Sequence, residues 1–254
     1  MGDRLRKLSW AELHSPAALE KRHYPFRNYR HAAETVLFPG CNFMGVYPRT
    51  TEVLHRLLAE RLGAGLVYDC CSQPVVDMGL QDEADGIARD MESRMLECGV
   101  RRVITVCPNC HYRMKAMFSQ VEVVDVYTVL AETQSCQIAA LEDLSLWQPC
   151  PDRRSGEMLE ALKRFLPADP QKVRDVPCCG LKGWGRIFDA QTADRLATTL
   201  AEAGDVRTYC ASCVMTVARH GGTHMRHALV ELMGTGEQPD VANSLANRMR
   251  GRSA

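Results

Sequence analysis

The sequence predicts an α/β protein of two homologous lobes, each with a small parallel sheet, crossover helices, and cysteines at the carboxyl ends of its strands. Two observations lead to this prediction. Short apolar runs alternate with segments of helical periodicity, which is typical of parallel sheets. In addition, ten of the 12 cysteines fall into a pattern that occurs twice along the 254 residues. Such a repeat indicates an internal duplication.

In the first lobe, the strands are predicted from short β-branched or apolar runs and the helices from apolar residues at helical spacing. The predicted strands are 35–38, 66–69 and 102–106, and the predicted helices are 50–62 and 80–98. Gly99 follows the second helix, as expected of a residue that ends it. Because strands and helices alternate, we expect a parallel sheet with crossover helices.

The second lobe repeats this order. Its predicted strands are 145–148, 173–176 and 206–209, and its predicted helices are 156–165 and 190–203. Helix-like apolar segments at 125–132 and 227–234 are counterparts in the two lobes. The predicted regions are an N-terminal arm (1–31), a first lobe (32–133), a connection (134–143), a second lobe (144–234) and a C-terminal tail (235–254).

Charge and hydropathy argue against several classes of function. Lys plus Arg equals Asp plus Glu, at 31 each, so no net charge attracts nucleic acid or an anionic membrane surface. The chain has neither the apolar core of a signal peptide nor a run long enough to span a membrane. We therefore expect a cytoplasmic protein with no membrane span and no nucleic-acid partner. Because reducing cytosol disfavours structural disulfides, its 12 cysteines indicate metal ligation or redox chemistry.

Each half of the cysteine pattern contains a single cysteine, an adjacent pair and a CxxC motif. The first half contains Cys41, Cys70, Cys71, Cys107 and Cys110, and the second contains Cys150, Cys178, Cys179, Cys210 and Cys213. The offsets between the single cysteines, the pairs and the CxxC motifs are 109, 108 and 103 residues. Cys98 and Cys136 fall outside the pattern, and we interpret them as small apolar core residues.

The predicted strands place the repeated thiols of each lobe just beyond strand carboxyl ends, where open parallel sheets bind ligands. Each CxxC motif opens a helix, whose free N–H groups favour thiolate over thiol. Five thiolates can therefore converge in each lobe.

Three chemistries compete for these thiols. A structural zinc site takes four ligands, so one site formed by both CxxC motifs leaves six of the repeated cysteines unexplained. Thioredoxin-type chemistry needs one CxxC and ignores the repeat. Iron–sulfur clusters usually take four thiolates. A fifth thiolate then indicates a larger or more open cluster with a bridging sulfur, or a free thiol beside the cluster.

The order Cys, Cys-Cys-Gly, Cys-x-x-Cys, given twice, resembles the pair of CCG, or cysteine-rich, domains in the disulfide-reducing iron–sulfur subunit of heterodisulfide reductase. Relatives of that subunit include iron–sulfur subunits of lactate, glycolate and succinate oxidation systems. The resemblance covers about 36–234. "CPNCH" at 107–111 is similar to the reductase branch, and "CCSQP" at 70–74 is similar to a CCGxP pattern. Ser72 stands where the family has glycine, whereas Gly180 keeps the glycine in the second lobe.

The resemblance implies that each five-cysteine set binds one noncubane 4Fe-4S cluster. It implies an oxidoreductase that reduces a small disulfide, or oxidises two thiols, between these clusters as one subunit of a complex. The implied partners are a ferredoxin-like iron–sulfur subunit and a flavoprotein subunit. The alternative is an electron-transfer subunit of a flavin-linked lactate-, glycolate- or succinate-type dehydrogenase, without its own substrate site. The chain has neither a ferredoxin-type cysteine run nor a GxGxxG motif after a strand, so its electrons must come from another chain.

Several other residues are candidates for a role at these sites. His111 directly follows a CxxC motif, and it either donates protons during thiol formation or only begins a helix. Lys182, beside the second cysteine pair, either lines a substrate pocket or belongs to a loop shaped by glycines. His220, His224 and His227 follow Cys213, and we expect them to be solvated on one polar helix.

Overall fold

Two sheets, one in each lobe, form the framework of the computed structural model. It describes residues 24–77, 79–133, 145–173, 178–179, 190–219 and 221–253. The sheets are parallel except at one edge strand, and helices connect their strands. The predicted α/β fold class, with its cysteines near the strand ends, is confirmed.

The first lobe contains the five-stranded sheet. Its strands are β1 (Asn28–His31), β2 (Thr35–Phe38), β3 (Gly65–Tyr68), β4 (Arg102–Thr105) and β5 (Glu122–Asp125). Its helices are α1 (Cys41–Val46), α2 (Pro48–Leu62), α3 (Gln73–Asp77), α4 (Gln81–Glu97), α5 (Pro108–Met117) and α6 (Val126–Thr133).

The second lobe contains a four-stranded sheet. Its strands are β6 (Ser145–Trp147), β7 (Gln171–Lys172), β8 (Val206–Thr208) and β9 (Met225–His227). Its helices are α7 (Glu157–Lys163), α8 (Ala190–Ala203), α9 (Ala211–Arg219), α10 (Ala228–Leu232) and α11 (Ser244–Ser253), and a 3₁₀ turn covers Cys150–Asp152.

The two sheets have the same topology. The first has the order β1-β3-β2-β4-β5, and the second has the order β7-β6-β8-β9. Without β1, each strand of the first sheet therefore has a counterpart at the same place in the second. This agreement supports the duplication inferred from the cysteine spacing.

Local sequence explains the predicted elements. The strands β2 and β4 have side chains that are fully buried, such as Val36, Leu37 and Ile104, because helices cover both faces of a parallel sheet. Helix α2 begins at Pro48, whose fixed φ suits a first helical turn. It ends before Gly63, which has a φ of 64° that glycine adopts without strain.

The lobes share one large hydrophobic core, and the first lobe has a second buried cluster of its own. Leu37, Phe43 and Tyr127 from the first lobe belong to the same buried cluster as Trp147 and Tyr209 from the second. The α5 helix packs on the 3₁₀ turn after β6, and the α9 helix packs on α1. Each CxxC helix therefore contacts the segment that follows the single cysteine of the other lobe.

Both ends of the described chain lie against the first lobe. The β1 strand pairs antiparallel with β3 at the sheet edge. The α11 helix packs on α1, and the Asn28 side chain donates a hydrogen bond of 3.1 Å to the Gly251 carbonyl. The domain bounds stay a prediction, and residues 134–143 of the connection lie outside the described residues.

Some local predictions differ from the structure. Strands β1, β5 and β9 were not predicted, because none of them contains more than two consecutive apolar residues. The strand expected at 173–176 is described at Gln171–Lys172, and residues 174–177 lie outside the described part. The expectation that Cys98 is a core residue was wrong, since Cys98 is exposed at the end of α4, where the helix turns outward at Gly99. Cys136 lies outside the described residues.

Candidate functional site

The repeated cysteines follow the carboxyl ends of equivalent strands. Cys41 begins α1 after β2, the Cys70–Cys71 pair follows β3, and Cys107 precedes α5 after β4. Because these strands are parallel, their carboxyl ends share one edge of the sheet, and the thiols are gathered there.

Each CxxC motif lies at the start of a helix. Cys107 occupies the position before the first turn of α5, with an extended backbone, and Pro108 is the first helical residue. Cys210 has the same position before α9. The second cysteine of each motif is therefore one turn into a helix, with its sulfur next to the first.

Nine of the ten repeated cysteines line a single cavity between the lobes. They are Cys41, Cys71, Cys107, Cys110, Cys150, Cys178, Cys179, Cys210 and Cys213. Cys70 is the exception, because its side chain packs with Tyr24 and Phe26. The two predicted five-cysteine sets do not line separate cavities, since members of both sets form the wall of this one.

Thiols of the two lobes contact each other at the centre of this cavity. The side chains of Cys110 and Cys210 hydrogen-bond to Cys107, which lowers the pKa of the Cys107 thiol well below its usual value. The same hydrogen bond to Cys107 is the main reason why the pKa of Cys210 is raised to about 12. The hydrogen bond between Cys107 and Cys210 therefore joins the thiols of the two lobes.

Further hydrogen bonds extend the chain of thiols into each lobe. Cys110 bonds to Cys71 in the first lobe, and Cys213 bonds to Cys179 in the second. The pKa of Cys179 is raised to about 12, mainly by its hydrogen bond with Cys178. The thiols thus form one connected group.

The polar part of the cavity wall is made of amides, a hydroxyl and one carboxylate. The described residues that contribute are Asn42, Gln73, Asp77, Asn109 and Ser212. The Asn42 side chain donates a hydrogen bond of 2.7 Å to the Ser212 hydroxyl, and this bond joins the two lobes.

Ser72, the residue that departs from the family pattern, has the backbone conformation that glycine favours. Its φ is 64°, in the left-handed region that other residues rarely adopt. Two hydrogen bonds hold it there: the hydroxyl donates to the Ala84 carbonyl at 2.9 Å and accepts from Arg113 Nε at 3.3 Å. The turn after the Cys70–Cys71 pair therefore keeps its geometry without glycine.

Asp69 fixes the start of the first cysteine pair. Its carboxylate accepts a hydrogen bond of 2.8 Å from the Cys70 N–H. It also accepts bonds from Arg27, Tyr29 and Arg94 at 3.0, 2.9 and 3.2 Å. Sequence reasoning treated Asp69 only as the end of a strand, because its partners come from distant parts of the chain.

Asp152 is a second buried carboxylate that sequence reasoning missed. It is fully buried two residues after Cys150, and it accepts hydrogen bonds from the hydroxyls of Tyr112 and Tyr209. The backbone N–H groups of Met158 and Leu159 also donate to it, at 3.1 and 3.0 Å. Asp152 therefore ties the segments around three of the repeated cysteines together.

His111, the first candidate for a proton donor, does not line the described cavity wall. It is buried, with Nδ1 at 2.9 Å from the Thr105 hydroxyl and Nε2 at 3.5 Å from the Glu157 carboxylate. Burial lowers its pKa. Lys182, the other candidate, lies outside the described residues.

The expectation that all three downstream histidines are solvated was wrong for His227. His224 is exposed and His220 lies outside the described residues, but His227 is 1% exposed. Its ring packs edge-on against Phe43 and Tyr47, with centroids at 4.9 and 5.6 Å. It belongs to a strand rather than a polar helix, and burial lowers its pKa to about 3.

Comparison with known families assigns the first lobe. Residues 35–115 match the CCG family, described as a cysteine-rich domain. This chain contains a CCG cysteine-rich domain. The match runs from β2 to α5 and includes all five repeated cysteines of the first lobe. The second lobe shares the sheet topology and cysteine order of the CCG domain, but it lies outside the matched residues.

Other comparisons add little to the CCG match. No curated protein matches the chain. One solved structure, an ABC transporter solute-binding protein from Conexibacter woesei, is 14% identical, with 86% of this chain and 81% of that chain covered. Its TM-score is 0.26, too low to support an argument about fold or function.

The donor set of the cavity fits an iron–sulfur group. Such clusters are held by cysteine thiolates, and two CCG-like groups of thiols meet here at strand ends and helix starts. Among the described residues, no group of three or more His, Cys, Asp or Glu side chains is arranged so that it could hold a single metal ion. The described helices also include none that is long and apolar enough to cross a membrane.

Proposed function

We propose that this chain is the iron–sulfur subunit of a heterodisulfide reductase-like complex, in which it reduces a small disulfide or oxidises two thiols. The single observation that carries the proposal is the shared cavity, where nine repeated cysteines from both lobes form one wall. CCG domains are typical of iron–sulfur oxidoreductase subunits, which supports the same chemistry.

Each of the two cysteine sets would hold its own cluster at the cavity. The first set, Cys41, Cys70, Cys71, Cys107 and Cys110, would hold one 4Fe-4S cluster of the noncubane type, and the second set would hold another. When bound, such clusters supply electrons one at a time and bind sulfur. Because the sets meet at the Cys107–Cys210 contact, the two sulfurs of one small disulfide can each lie close to one set.

The polar wall would position the substrate. Asn42, Gln73, Asn109 and Ser212 can donate or accept hydrogen bonds beside the thiols. Most of the cysteines that line the cavity are buried, and partial burial strengthens these polar contacts. Electrons would come from partner subunits, a ferredoxin-like iron–sulfur protein and a flavoprotein.

An anaerobic assay tests the proposal. The protein is purified without oxygen and its iron and acid-labile sulfide are measured. It is then given reduced viologen dye with small disulfides of different charge. Disulfide-dependent oxidation of the dye, together with iron and sulfide in the protein, would support the proposal. Intact clusters without turnover would favour the electron-transfer subunit of a dehydrogenase, and zinc without sulfide would show a structural metal protein.

A further inference from the structure

The C-terminal helix lies unusually close to the start of the first cysteine site. Helix α11 (Ser244–Ser253) packs on α1 (Cys41–Val46). A Cβ atom on Gly45 would lie 3.0 Å from the Ser244 carbonyl oxygen and 3.1 Å from Arg248 Nε, so a larger residue at this position would crowd the C-terminal helix. The Asn247 side chain secures it with a hydrogen bond of 2.8 Å to the Gly45 carbonyl.

Arg248 projects from this helix onto the polar wall of the cavity. Its Nη2 donates a hydrogen bond of 2.9 Å to Oδ1 of Asn42, the residue after Cys41. The amide of Asn42 in turn donates to the Ser212 hydroxyl at 2.7 Å. Ser212 lies between Cys210 and Cys213, so the contacts run from the C-terminal helix through the first cysteine site to the second.

The Arg248 guanidinium also lies next to the start of the first cysteine site. Its hydrogen-bond partner, Asn42, directly follows Cys41 in the chain and lines the cavity with it. A guanidinium stays charged at any pH at which the protein folds. Its charge therefore acts close to Cys41 and to whatever Cys41 binds.

We infer that Arg248 is a positioning and charge-balancing residue of the first cysteine site. It holds Asn42 in the cavity wall, and its positive charge stabilises the reduced state of the cluster that the first set would hold. Reduction adds an electron to a site that is already rich in thiolate. A nearby cation makes that addition easier, because the net charge and hydrogen bonds around a cluster set its reduction potential.

This inference rests on the part of the proposed function that concerns the clusters, and a potentiometric titration tests it. Wild type, Arg248→Gln and Arg248→Lys are compared as anaerobically reconstituted full-length proteins, and the clusters are followed by electron paramagnetic resonance. We expect Arg248→Gln to shift the midpoint potential of one cluster to more negative values and to leave the other in place. Arg248→Lys keeps the charge and should stay close to wild type.

Arg250→Gln is the matched control, because Arg250 is on the same helix and bonds to Asn247 rather than to Asn42. It should shift neither potential. A role limited to docking the helix would instead change thermal stability and leave the potentials unchanged. If Arg248→Gln does not fold, Arg248→Met removes the same charge and keeps the aliphatic stem.

The outcomes separate this inference from the proposed function. If the wild-type protein takes up no iron and sulfide, the proposed function fails. If wild type and Arg248→Gln carry equal iron and have the same two midpoint potentials, the role of Arg248 is refuted while the clusters remain.

Discussion

His227 makes the stability of the protein depend on pH, and its removal should weaken that dependence. Burial lowers the pKa of this histidine from its ordinary value of 6.5 to about 3. Below pH 6.5 the unfolded chain therefore takes up a proton that the folded protein does not. The free energy of unfolding then falls as the pH falls from 6.5 towards 3. Between pH 7 and pH 5 the loss due to His227 is about 2 kcal/mol, since one pKa unit corresponds to about 1.4 kcal/mol.

Urea unfolding of His227→Asn at pH 7 and pH 5, followed by circular dichroism, measures this loss. Asparagine can replace Nδ1 of the ring as acceptor for the Leu229 N–H, a bond of 3.2 Å. The variant is less stable at pH 7 because ring packing with Phe43 is lost, but its pH dependence should be smaller than that of wild type by about 2 kcal/mol. His224→Asn, which removes an exposed histidine of the same segment, should keep the wild-type dependence. Equal pH dependence in wild type and His227→Asn would refute the reasoning.

The other predictions concern the second lobe, the first cysteine turn and the thiols. Asp152→Ala should lower the free energy of unfolding by about 4 kcal/mol in urea denaturation, because it leaves the Tyr209 hydroxyl and other buried donors unpaired. A loss below about 1 kcal/mol would show that these hydrogen bonds contribute little to stability. Ser72→Ala should cost about 2 kcal/mol, because it keeps the left-handed backbone and loses both hydrogen bonds, whereas Ser72→Gly relieves the backbone strain and should cost less. A reversed order in thermal unfolding would show that φ is unimportant there. Cys71→Ala should reduce the iron content or change the paramagnetic spectrum after anaerobic reconstitution. The control Cys98→Ala changes an exposed thiol outside the repeat and should match wild type. A wild-type spectrum for Cys71→Ala would exclude Cys71 as a ligand.

Sequence patterns predicted the parts of the fold that depend on local chemistry. The strand at 35–38 and the helix at 190–203 match the structure, because buried β-branched runs and amphipathic periodicity are local signals. The placement of the cysteines followed from the same signals, since a thiol just after a parallel strand lies at the ligand-binding edge. Strand β9 was missed because its three residues, Met225–His227, give no period of their own.

The packing of the lobes could not be predicted from the sequence. Asp152 and His227 are polar residues in stretches of sequence that are typical of exposed segments. Their burial depends on partners about 40 residues or more away in the chain. The docking of α11 on α1 depends on the missing side chain of Gly45 and on Arg248, which are about 200 residues apart. Local propensity carries no information on such contacts, so only the tertiary structure reveals them.

The contact between Cys107 and Cys210 explains why duplication produces one cavity. These cysteines are equivalents in the two lobes, so each copy contributes the same residue to the contact. Other contacts between the lobes are paired in the same way, because each CxxC helix packs on the segment after the single cysteine of the other lobe.

The residues beside equivalent cysteines show where the two halves of the site differ. Both halves present the same kinds of thiol to the cavity. Yet the residues two positions after the single cysteines are Phe43 in the first lobe and the buried carboxylate Asp152 in the second. Arg248 approaches only the first site within the described residues, through Asn42. The equivalent positions of the two halves therefore carry different polar groups beside the same pattern of cysteines.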